Sequence, residues 1–146
     1  MTEMSPQQLA AACAEAMYAA DEASRRLGIT IDGVAPGRAT ATMRVTEAMV
    51  NGHGICHGGY VFLLADTAFA FACNTYDAVT LAAGCDVVFV SPARLGDELV
   101  AEATERVRLG RSGVYDVTVS GQDGSTVAEF RGLSRTVEGR LLGDSG

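Results

Sequence analysis

The chain has 146 residues, 48% of them hydrophobic, which is enough for one domain with a sizeable core. Its formal net charge of −7 argues against nucleic acid or an anionic membrane surface as the general partner. Nothing at the start resembles a secretion signal, and no repeat or linker divides the chain. Four cysteines without paired spacing therefore predict reduced thiols in a cytoplasmic protein: Cys13, Cys56, Cys73 and Cys85.

The first predicted element is an amphipathic helix over about residues 5–26. Ser5 can cap this helix, Pro6 suits its first position, and Gln8 lies where a capping box closes. Hydrophobic residues then follow at helical spacing, and the pattern stops at Leu27-Gly28. This helix is expected to pack one face on the rest of the domain, and it contains no residue pattern that indicates chemistry.

Strand patterns occupy most of the remaining chain. From Ile29 the hydrophobic period changes to two, which predicts two short strands joined by a turn over residues 32–37. Four more strands are predicted over residues 80–90, 98–109, 114–120 and 126–137. The links between these four are short and rich in Gly, Asp or Pro, so consecutive strands are expected to pair antiparallel. The tail after residue 138 is expected to fray.

Between the two groups of strands lies the segment NGHGICHGGYVFLLADTAFAFACN, residues 51–74. Its part over about residues 58–74 is apolar on every side except at Asp66 and Thr67, which predicts a helix buried on all faces. The run is too short and too polar for a membrane span. We therefore predict an α+β fold in which a long antiparallel sheet wraps around this helix.

Asp66 is the first candidate functional residue. A buried carboxylate without a partner is costly, and proteins that keep one usually use it. It can act as a general base or as a nucleophile in a desolvated cleft. The structural alternative is an aspartate paired with an arginine across an interface.

Gly58 is the second candidate, because the first amides of a helix have no intrahelical acceptor and carry the positive end of the helix dipole. Such amides can hold the oxyanion that forms when a carbonyl is attacked. Alternatively, the glycines at this position serve only a tight turn. Gly58 and Asp66 lie eight residues apart, or about 12 Å along one helix. If both are catalytic, each site must therefore combine Gly58 of one chain with Asp66 of a two-fold-related chain.

The loop before the central helix contains His53, Cys56 and His57, which are potential metal ligands. We predict no metal, because a fourth ligand at suitable spacing is missing. Cys56 and His57 are adjacent in sequence and rarely aim at each other, so a cysteine nucleophile is disfavoured. His57 is expected to orient the loop or a substrate carbonyl. Asn51 can either hydrogen-bond a substrate oxygen or brace the loop.

Five arginines cluster on the strand-rich half of the chain: Arg94, Arg108, Arg111, Arg131 and Arg135. Exposed arginines usually belong to an ordinary solvated face. In an acidic protein, however, their concentration near turns is also compatible with phosphate capture.

Three segments together resemble the phenylacetic-acid-degradation thioesterases of the hotdog fold: the central segment above, SPQQLAAACAEAMYAADEASRRLGI, and GRSGVYDVTVSGQDGSTVAEFRGLSRTV. They cover nearly the whole chain in order. The resemblance implies a single hotdog domain over residues 1–146 that hydrolyses acyl-CoA thioesters, favouring phenylacetyl-CoA or hydroxyphenylacetyl-CoA. It also implies no metal or separate cofactor, since coenzyme A is part of the substrate. The expected assembly is a homodimer with shared sites that pairs into a tetramer.

By the matching motif, Asp66 corresponds to the catalytic carboxylate of the family and Gly58 to the oxyanion-hole amide, while His57 and Asn51 shape the site. The resemblance places two further segments near the CoA arm: Arg111, Ser112 and Gly113, and Phe130, Arg131 and Gly132.

This sequence departs from similar thioesterases at two positions. Leu133 stands where relatives often carry a basic residue, so one phosphate contact is expected to be absent or moved. Gly84 stands near the position where some relatives hold water with Ser or Thr. That role would fall to Thr67 or to no residue.

Two other classes compete with the thioesterase. A hotdog hydratase or dehydratase would need a histidine paired with an acidic residue on the helix, whereas His57 and Asp66 lie nine residues apart. The HGG loop fits an oxyanion role better. A non-catalytic acyl-CoA-binding module usually carries a regulatory domain, for which this sequence leaves no room.

Overall fold

The computed structural model describes residues 3–143 of the chain. Two helices come first, α1 (Pro6–Ala20) and α2 (Glu22–Arg26), followed by strands β1 (Thr30–Ala35) and β2 (Arg38–Arg44). A short 3-10 turn, Glu47–Met49, leads through a loop into the long helix α3, Gly58–Cys73. Four strands complete the domain: β3 (Ala78–Phe89), β4 (Glu98–Leu109), β5 (Ser112–Gly121) and β6 (Thr126–Arg140).

The six strands form one sheet in the order β1-β2-β4-β5-β6-β3, and every neighbouring pair is antiparallel. The sheet curves around α3, which contacts all six strands. Alternate residues of β2, β4 and β5 face α3 and are buried, as the period of two predicts. The core is therefore the space between the sheet and α3, and the chemistry of α3 is presented only where the sheet leaves it uncovered.

The predicted N-terminal helix over residues 5–26 is interrupted at Asp21. The start is as predicted, since Ser5 and Gln8 form a capping box. Asp21, however, ends α1, and its carboxylate then caps α2 by accepting from the Ser24 amide at 3.0 Å. An aspartate side chain competes well for a free helix amide, so one continuous pattern gives two helices.

The turn between β1 and β2 and the end of β6 also differ from those predicted, while β3 and β5 differ by one or two residues at their ends. β1 continues through Ala35, and the turn is confined to Pro36 and Gly37, whose φ of 71° suits glycine. The first two residues of the predicted tail lie in a strand, because β6 continues to Arg140, and the Arg140 guanidinium pairs with buried Asp77 at 2.8 Å. Residues 144–146 of the predicted tail lie outside the described residues.

β3 forms one edge of the sheet and carries an exposed apolar surface. Four large side chains on or directly after it are each more than half exposed: Leu81, Val88, Phe89 and Val90. A long apolar edge strand is a template for pairing with another chain unless something covers it.

Candidate active site

The first turn of α3 presents a free backbone amide at Gly58. His57 is the N-cap residue, and its Nδ1 accepts a hydrogen bond from the Gly59 amide at 2.9 Å. The His57 amide itself donates to the Met49 carbonyl at 2.8 Å, which anchors the loop before the helix. Among residues 3–143, no acceptor receives the Gly58 amide, which therefore stays available at the positive end of the helix.

Asn51 braces the loop that leads to this helix start. Its side-chain oxygen accepts hydrogen bonds from the His53 amide at 2.9 Å and the Ile55 amide at 3.3 Å. Of the two roles that the sequence allowed, bracing is the one seen in the isolated chain. The side-chain NH₂ of this exposed residue has no acceptor among residues 3–143, so it remains able to donate to a substrate.

A cavity of about 280 Å³ lies beside Gly58 and is walled by apolar side chains of α3 and of the end of β3. A Cβ atom on Gly58 would lie 3.0 Å from Cζ of Phe89, closer than ordinary packing allows. Glycine at position 58 thus permits the Phe89 ring to approach the helix start closely, so it does more than allow a tight turn.

Asp66 lies in a second cavity of about 320 Å³ on the side of α3 that faces the first half of β3. Within residues 3–143, its carboxylate makes neither a hydrogen bond nor an ion pair, and no arginine lines this cavity. Burial raises the pKa of Asp66 above the ordinary aspartate value. The described part of the chain therefore offers no structural partner for this carboxylate, which remains directed at the cavity.

The two cavities have no lining residue in common. Gly58 and Asp66 are separated by eight residues of continuous helix, which corresponds to about 12 Å. One chain thus holds the backbone donor of Gly58 and the carboxylate of Asp66 in two separate cavities.

Thr67, which the sequence suggested as a holder of water, faces away from Asp66. Its hydroxyl lies 3.1 Å from the hydroxyl of buried Ser24, which also donates to the Asp21 carboxylate at 2.7 Å. Thr67 does not line the cavity of Asp66, whereas Thr80 of β3 does. The Thr80 hydroxyl is already engaged with the Ala78 carbonyl at 2.9 Å. Thr67 is therefore part of the contact between α2 and α3.

Phe130 and Gly132, expected near the CoA arm, pack in the core of the chain. The Phe130 ring lies 5.5 Å from that of Phe62 and 5.7 Å from that of Phe69, centroid to centroid. A Cβ atom on Gly132 would lie 2.7 Å from the Phe69 ring. Both residues thus have a packing role against α3, and their contact with CoA stays a prediction.

Arg131 lies on the opposite face of the sheet and is already paired. Its guanidinium donates to both carboxylate oxygens of Asp116, at 2.7 and 2.9 Å, and this hydrogen bonding lowers the pKa of Asp116. Arg111, Ser112 and Gly113 lie at the turn from β4 to β5. None of the six residues predicted near CoA lines either cavity, so the structure does not bring them together with Asp66 or Gly58 in one chain.

Cys56 has the character of a buried structural thiol. Its sulfur lies 3.6 Å from the His57 carbonyl oxygen, and burial raises its pKa, whereas a nucleophilic cysteine needs a lowered pKa. Among residues 3–143, no group of three His, Cys, Asp or Glu side chains is arranged to hold a metal ion. No helix of the same range is long and apolar enough to span a membrane.

Sequence reasoning missed the residues that complete the cavity walls. Met17 of α1 and Leu141 after β6 line the cavity of Asp66, and Phe89 lines that of Gly58. These residues come from distant parts of the chain, and each looks like an ordinary apolar residue in sequence. Only the folded arrangement identifies them.

The antiparallel sheet wrapped around one central helix is a hotdog fold. The model of the thioesterase superfamily matches residues 53–128, a span that contains Gly58 and Asp66. The chain belongs to the thioesterase superfamily and is an enzyme of the thioester hydrolase class.

The relatives narrow this class further. The chain is 44% identical over 132 residues to the acyl-coenzyme A thioesterase PaaI of Escherichia coli, covering 90% of this chain and 94% of that protein. It is 43% identical over 108 residues to a putative esterase of Deinococcus radiodurans, covering 73% of each. The solved structure of the E. coli PaaI protein, from the phenylacetic acid degradation operon, matches with a TM-score of 0.92 at 43% identity, covering 93% of this chain and 99% of that one. The predicted hotdog fold and thioesterase family are therefore confirmed.

Proposed function

We propose that the protein is a cytoplasmic acyl-CoA thioesterase that hydrolyses aryl-acetyl-CoA thioesters, phenylacetyl-CoA or hydroxyphenylacetyl-CoA, in phenylacetate degradation. The observation that carries the proposal is an unpaired carboxylate, Asp66, in an apolar cavity of a helix whose first turn offers a free Gly58 amide. The similarity to the E. coli thioesterase PaaI supports the substrate class. Four unpaired cysteines agree with a reducing compartment.

The chemistry needs one attacking oxygen and one site for the negative charge that develops. Asp66 can take a proton from a water molecule while that water attacks the thioester carbonyl carbon, or the carboxylate can attack directly and form an anhydride that water then cleaves. Both routes break the carbon–sulfur bond and give the free acid and the CoA thiol. The Gly58 amide stabilises the oxyanion of the tetrahedral intermediate.

The two half-sites, the Gly58 amide and the Asp66 carboxylate, are proposed to meet across a dimer in which β3 edges pair antiparallel. Residues 79–82, in the first half of β3, line the cavity of Asp66. Phe89, the last residue of β3, lines the cavity of Gly58 together with Val90 and Ser91, which follow directly after the strand. In an antiparallel pair of identical strands, the first half of one strand lies beside the second half of the other. The Asp66 cavity of one protomer then adjoins the Gly58 cavity of its partner. The exposed apolar side chains of β3 support this interface.

His57 and Asn51 are proposed to position the oxyanion donor. With Nδ1 of His57 accepting from the Gly59 amide, a neutral ring carries its proton on Nε2. Asn51 holds the loop before it and keeps its NH₂ group free for the thioester oxygen. The expected result is a rigid helix start whose Gly58 amide is aimed at the substrate.

The remaining parts of the proposal concern coenzyme A and the higher assembly. Arg111, exposed at the turn from β4 to β5, is proposed to hold CoA phosphates with its neighbours Ser112 and Gly113. Phe130, Arg131 and Gly132 are proposed to lie near the same arm in the assembly. Dimers are proposed to pair into tetramers, and exposed Val107, Leu109 and Leu133 offer apolar surface for that contact.

A steady-state screen tests the proposed activity. Release of free CoA thiol is measured with phenylacetyl-, hydroxyphenylacetyl-, benzoyl- and medium-chain acyl-CoA. We expect the highest kcat/KM with the aryl-acetyl thioesters. Binding without thiol release would indicate an acyl-CoA-binding module, and hydration of an enoyl-CoA without thiol release would indicate a hydratase. Either result would overturn the proposal.

A further inference from the structure

The segment that follows β6 is held by a buried aspartate in the connection between α3 and β3. Asp77 is only 4% exposed and has a φ of 63°. Its carboxylate accepts from Nε of Arg140 at 2.9 Å and from the Leu142 amide at 2.8 Å. Its carbonyl oxygen accepts from the Leu141 amide at 3.3 Å. Asp77 therefore fixes both residues on either side of Leu141.

Fixing this segment places Leu141 in the wall of the cavity that contains Asp66. Leu141 is half-buried. It lines this cavity together with Met17 of α1 and with Phe69 and Cys73 of α3. Leu142, the next residue, is 39% exposed and does not line the cavity. Leu141 therefore contacts the cavity, whereas Leu142 is a neighbour of similar chemistry outside it.

The cavity combines a single carboxylate, that of Asp66, with a largely apolar wall. At about 320 Å³, it lies near the lower end of the size range for small-molecule sites. The thioester carbonyl has to lie against the Asp66 carboxylate, and an apolar acyl group then extends along the apolar wall. A leucine side chain in that wall sets the space left for the acyl group.

We propose that Leu141 is a specificity-determining residue for the acyl group, and that Asp77 is a positioning residue that holds Leu141 in the acyl pocket through the segment 140–142. This inference rests on the proposed function, because it takes Asp66 as the group that meets the thioester. It adds a determinant that comes from the C-terminal segment, outside the central helix and its loop.

Leu141→Ala and Leu141→Phe test the first half of the proposal in opposite directions. Acyl selectivity is measured as the kcat/KM ratio between naphthylacetyl-CoA and phenylacetyl-CoA, and between phenylacetyl-CoA and acetyl-CoA. Leu141→Ala is expected to raise the first ratio by about 10-fold or more, the scale on which one or two methylenes discriminate in an apolar pocket. Leu141→Phe is expected to lower the second ratio. The matched control Leu142→Ala is expected to leave both ratios unchanged.

Asp77→Asn tests the positioning role. Asparagine tolerates the positive φ of this position, so the backbone is preserved while the charge that holds Arg140 is removed. The kcat/KM ratio of naphthylacetyl-CoA to phenylacetyl-CoA is expected to rise, as it does in Leu141→Ala. The double variant Asp77→Asn/Leu141→Ala should then show no shift beyond that of Leu141→Ala alone. A variant that only loosened the fold would lower activity on all thioesters equally, and that outcome would refute the positioning role.

The outcomes separate this inference from the proposed function. If the wild-type enzyme cleaves phenylacetyl-CoA but Leu141→Ala has the same ratios as Leu142→Ala, the inference is wrong and the proposed function stands. If the wild-type enzyme cleaves no acyl-CoA, both are wrong. Should Leu141→Ala not fold, Leu141→Val provides a smaller step, and unchanged ratios in that variant would count equally against the inference.

Discussion

The start of α3 at Gly58 and the region of α3 around Asp66 present their polar groups in different ways. At the start of the helix the proposed functional group is a backbone amide, which Gly58 offers because its position in the first turn leaves it without an acceptor among residues 3–143. Two turns further along, the proposed functional group is a side chain, the Asp66 carboxylate, in a cavity of its own. Every residue except proline keeps a backbone amide at position 58, whereas only an acidic residue keeps a carboxylate at position 66.

The difference also shows in how each group is held. The helix start is braced by side-chain hydrogen bonds to backbone amides, since His57 caps the helix and Asn51 ties the loop before it. Asp66 has no such support among residues 3–143 and is tuned by burial, which raises its pKa. One half-site therefore depends on geometry and the other on desolvation, so the two should respond to different perturbations.

The largest effect is expected from removing the carboxylate. Asp66→Asn keeps the shape of the side chain but cannot accept a proton or attack, so kcat with phenylacetyl-CoA should fall by about 10²–10⁴-fold. Thiol release measures the loss, and Asp123→Asn, on the exposed turn between β5 and β6, is the control that should keep full activity. Near-normal turnover by Asp66→Asn would exclude the carboxylate from the reaction.

A somewhat smaller loss is expected from removing the amide. Gly58→Pro deletes the donor at the first helical position, where proline is tolerated, and kcat should fall by about 10²–10³-fold. Gly58→Ala adds a Cβ atom against Phe89 while retaining the amide. Comparing the two separates crowding from loss of the donor. Equal kcat values for the two variants would show that the donor itself does not matter.

The two half-sites should differ in their pH dependence. Asp66 is active as the carboxylate, and its pKa is raised, so kcat/KM should be full above that pKa and fall as the pH drops through it. The acid limb should therefore have its midpoint above 3.8, the ordinary value for aspartate. Gly58→Pro should lower the height of the profile and leave the midpoint in place, because the backbone amide that it removes does not titrate. A midpoint at or below 3.8 would contradict a desolvated Asp66.

The smallest effect concerns the capping residue. His57→Ala removes the acceptor for the Gly59 amide and should lower the free energy of unfolding by about 0.5–2 kcal/mol, measured by urea denaturation. His57→Asn can keep the cap, so it should retain both the stability and most of kcat. A stable His57→Asn enzyme as inactive as Gly58→Pro would instead show that the imidazole itself acts on the substrate.

Much of the fold could be predicted from local patterns. Alternate strand residues face the core, which gives the period of two, and α3 is enclosed by the sheet, which gives its apolar run. The break at Asp21 could not, because a carboxylate that caps the next helix looks like any polar helix residue. The extension of β6 to Arg140 depends on Asp77, which is far away in sequence, so the tail appeared free to fray.

In the candidate site, too, some residues are recognisable from the local sequence and others only from the folded structure. Asp66 stands out in sequence because a carboxylate in an apolar run is costly, and Gly58 stands out through the helix start. The walls around them do not, since Met17, Phe89 and Leu141 reach the cavities only through folding. The sequence left the water-holding role to Thr67 or to no residue, and in the structure the Thr67 hydroxyl lies beside that of Ser24.

Complementation between inactive subunits tests most directly whether each site combines Gly58 of one chain with Asp66 of another. Asp66→Asn and Gly58→Pro subunits are mixed after dissociation, mixed dimers are verified by differential tagging, and thiol release from phenylacetyl-CoA is measured. Each mixed dimer then contains one site with both groups intact, so an equal mixture should recover about a quarter of wild-type activity. Verified mixed dimers that are no more active than the parent variants would contradict the shared site.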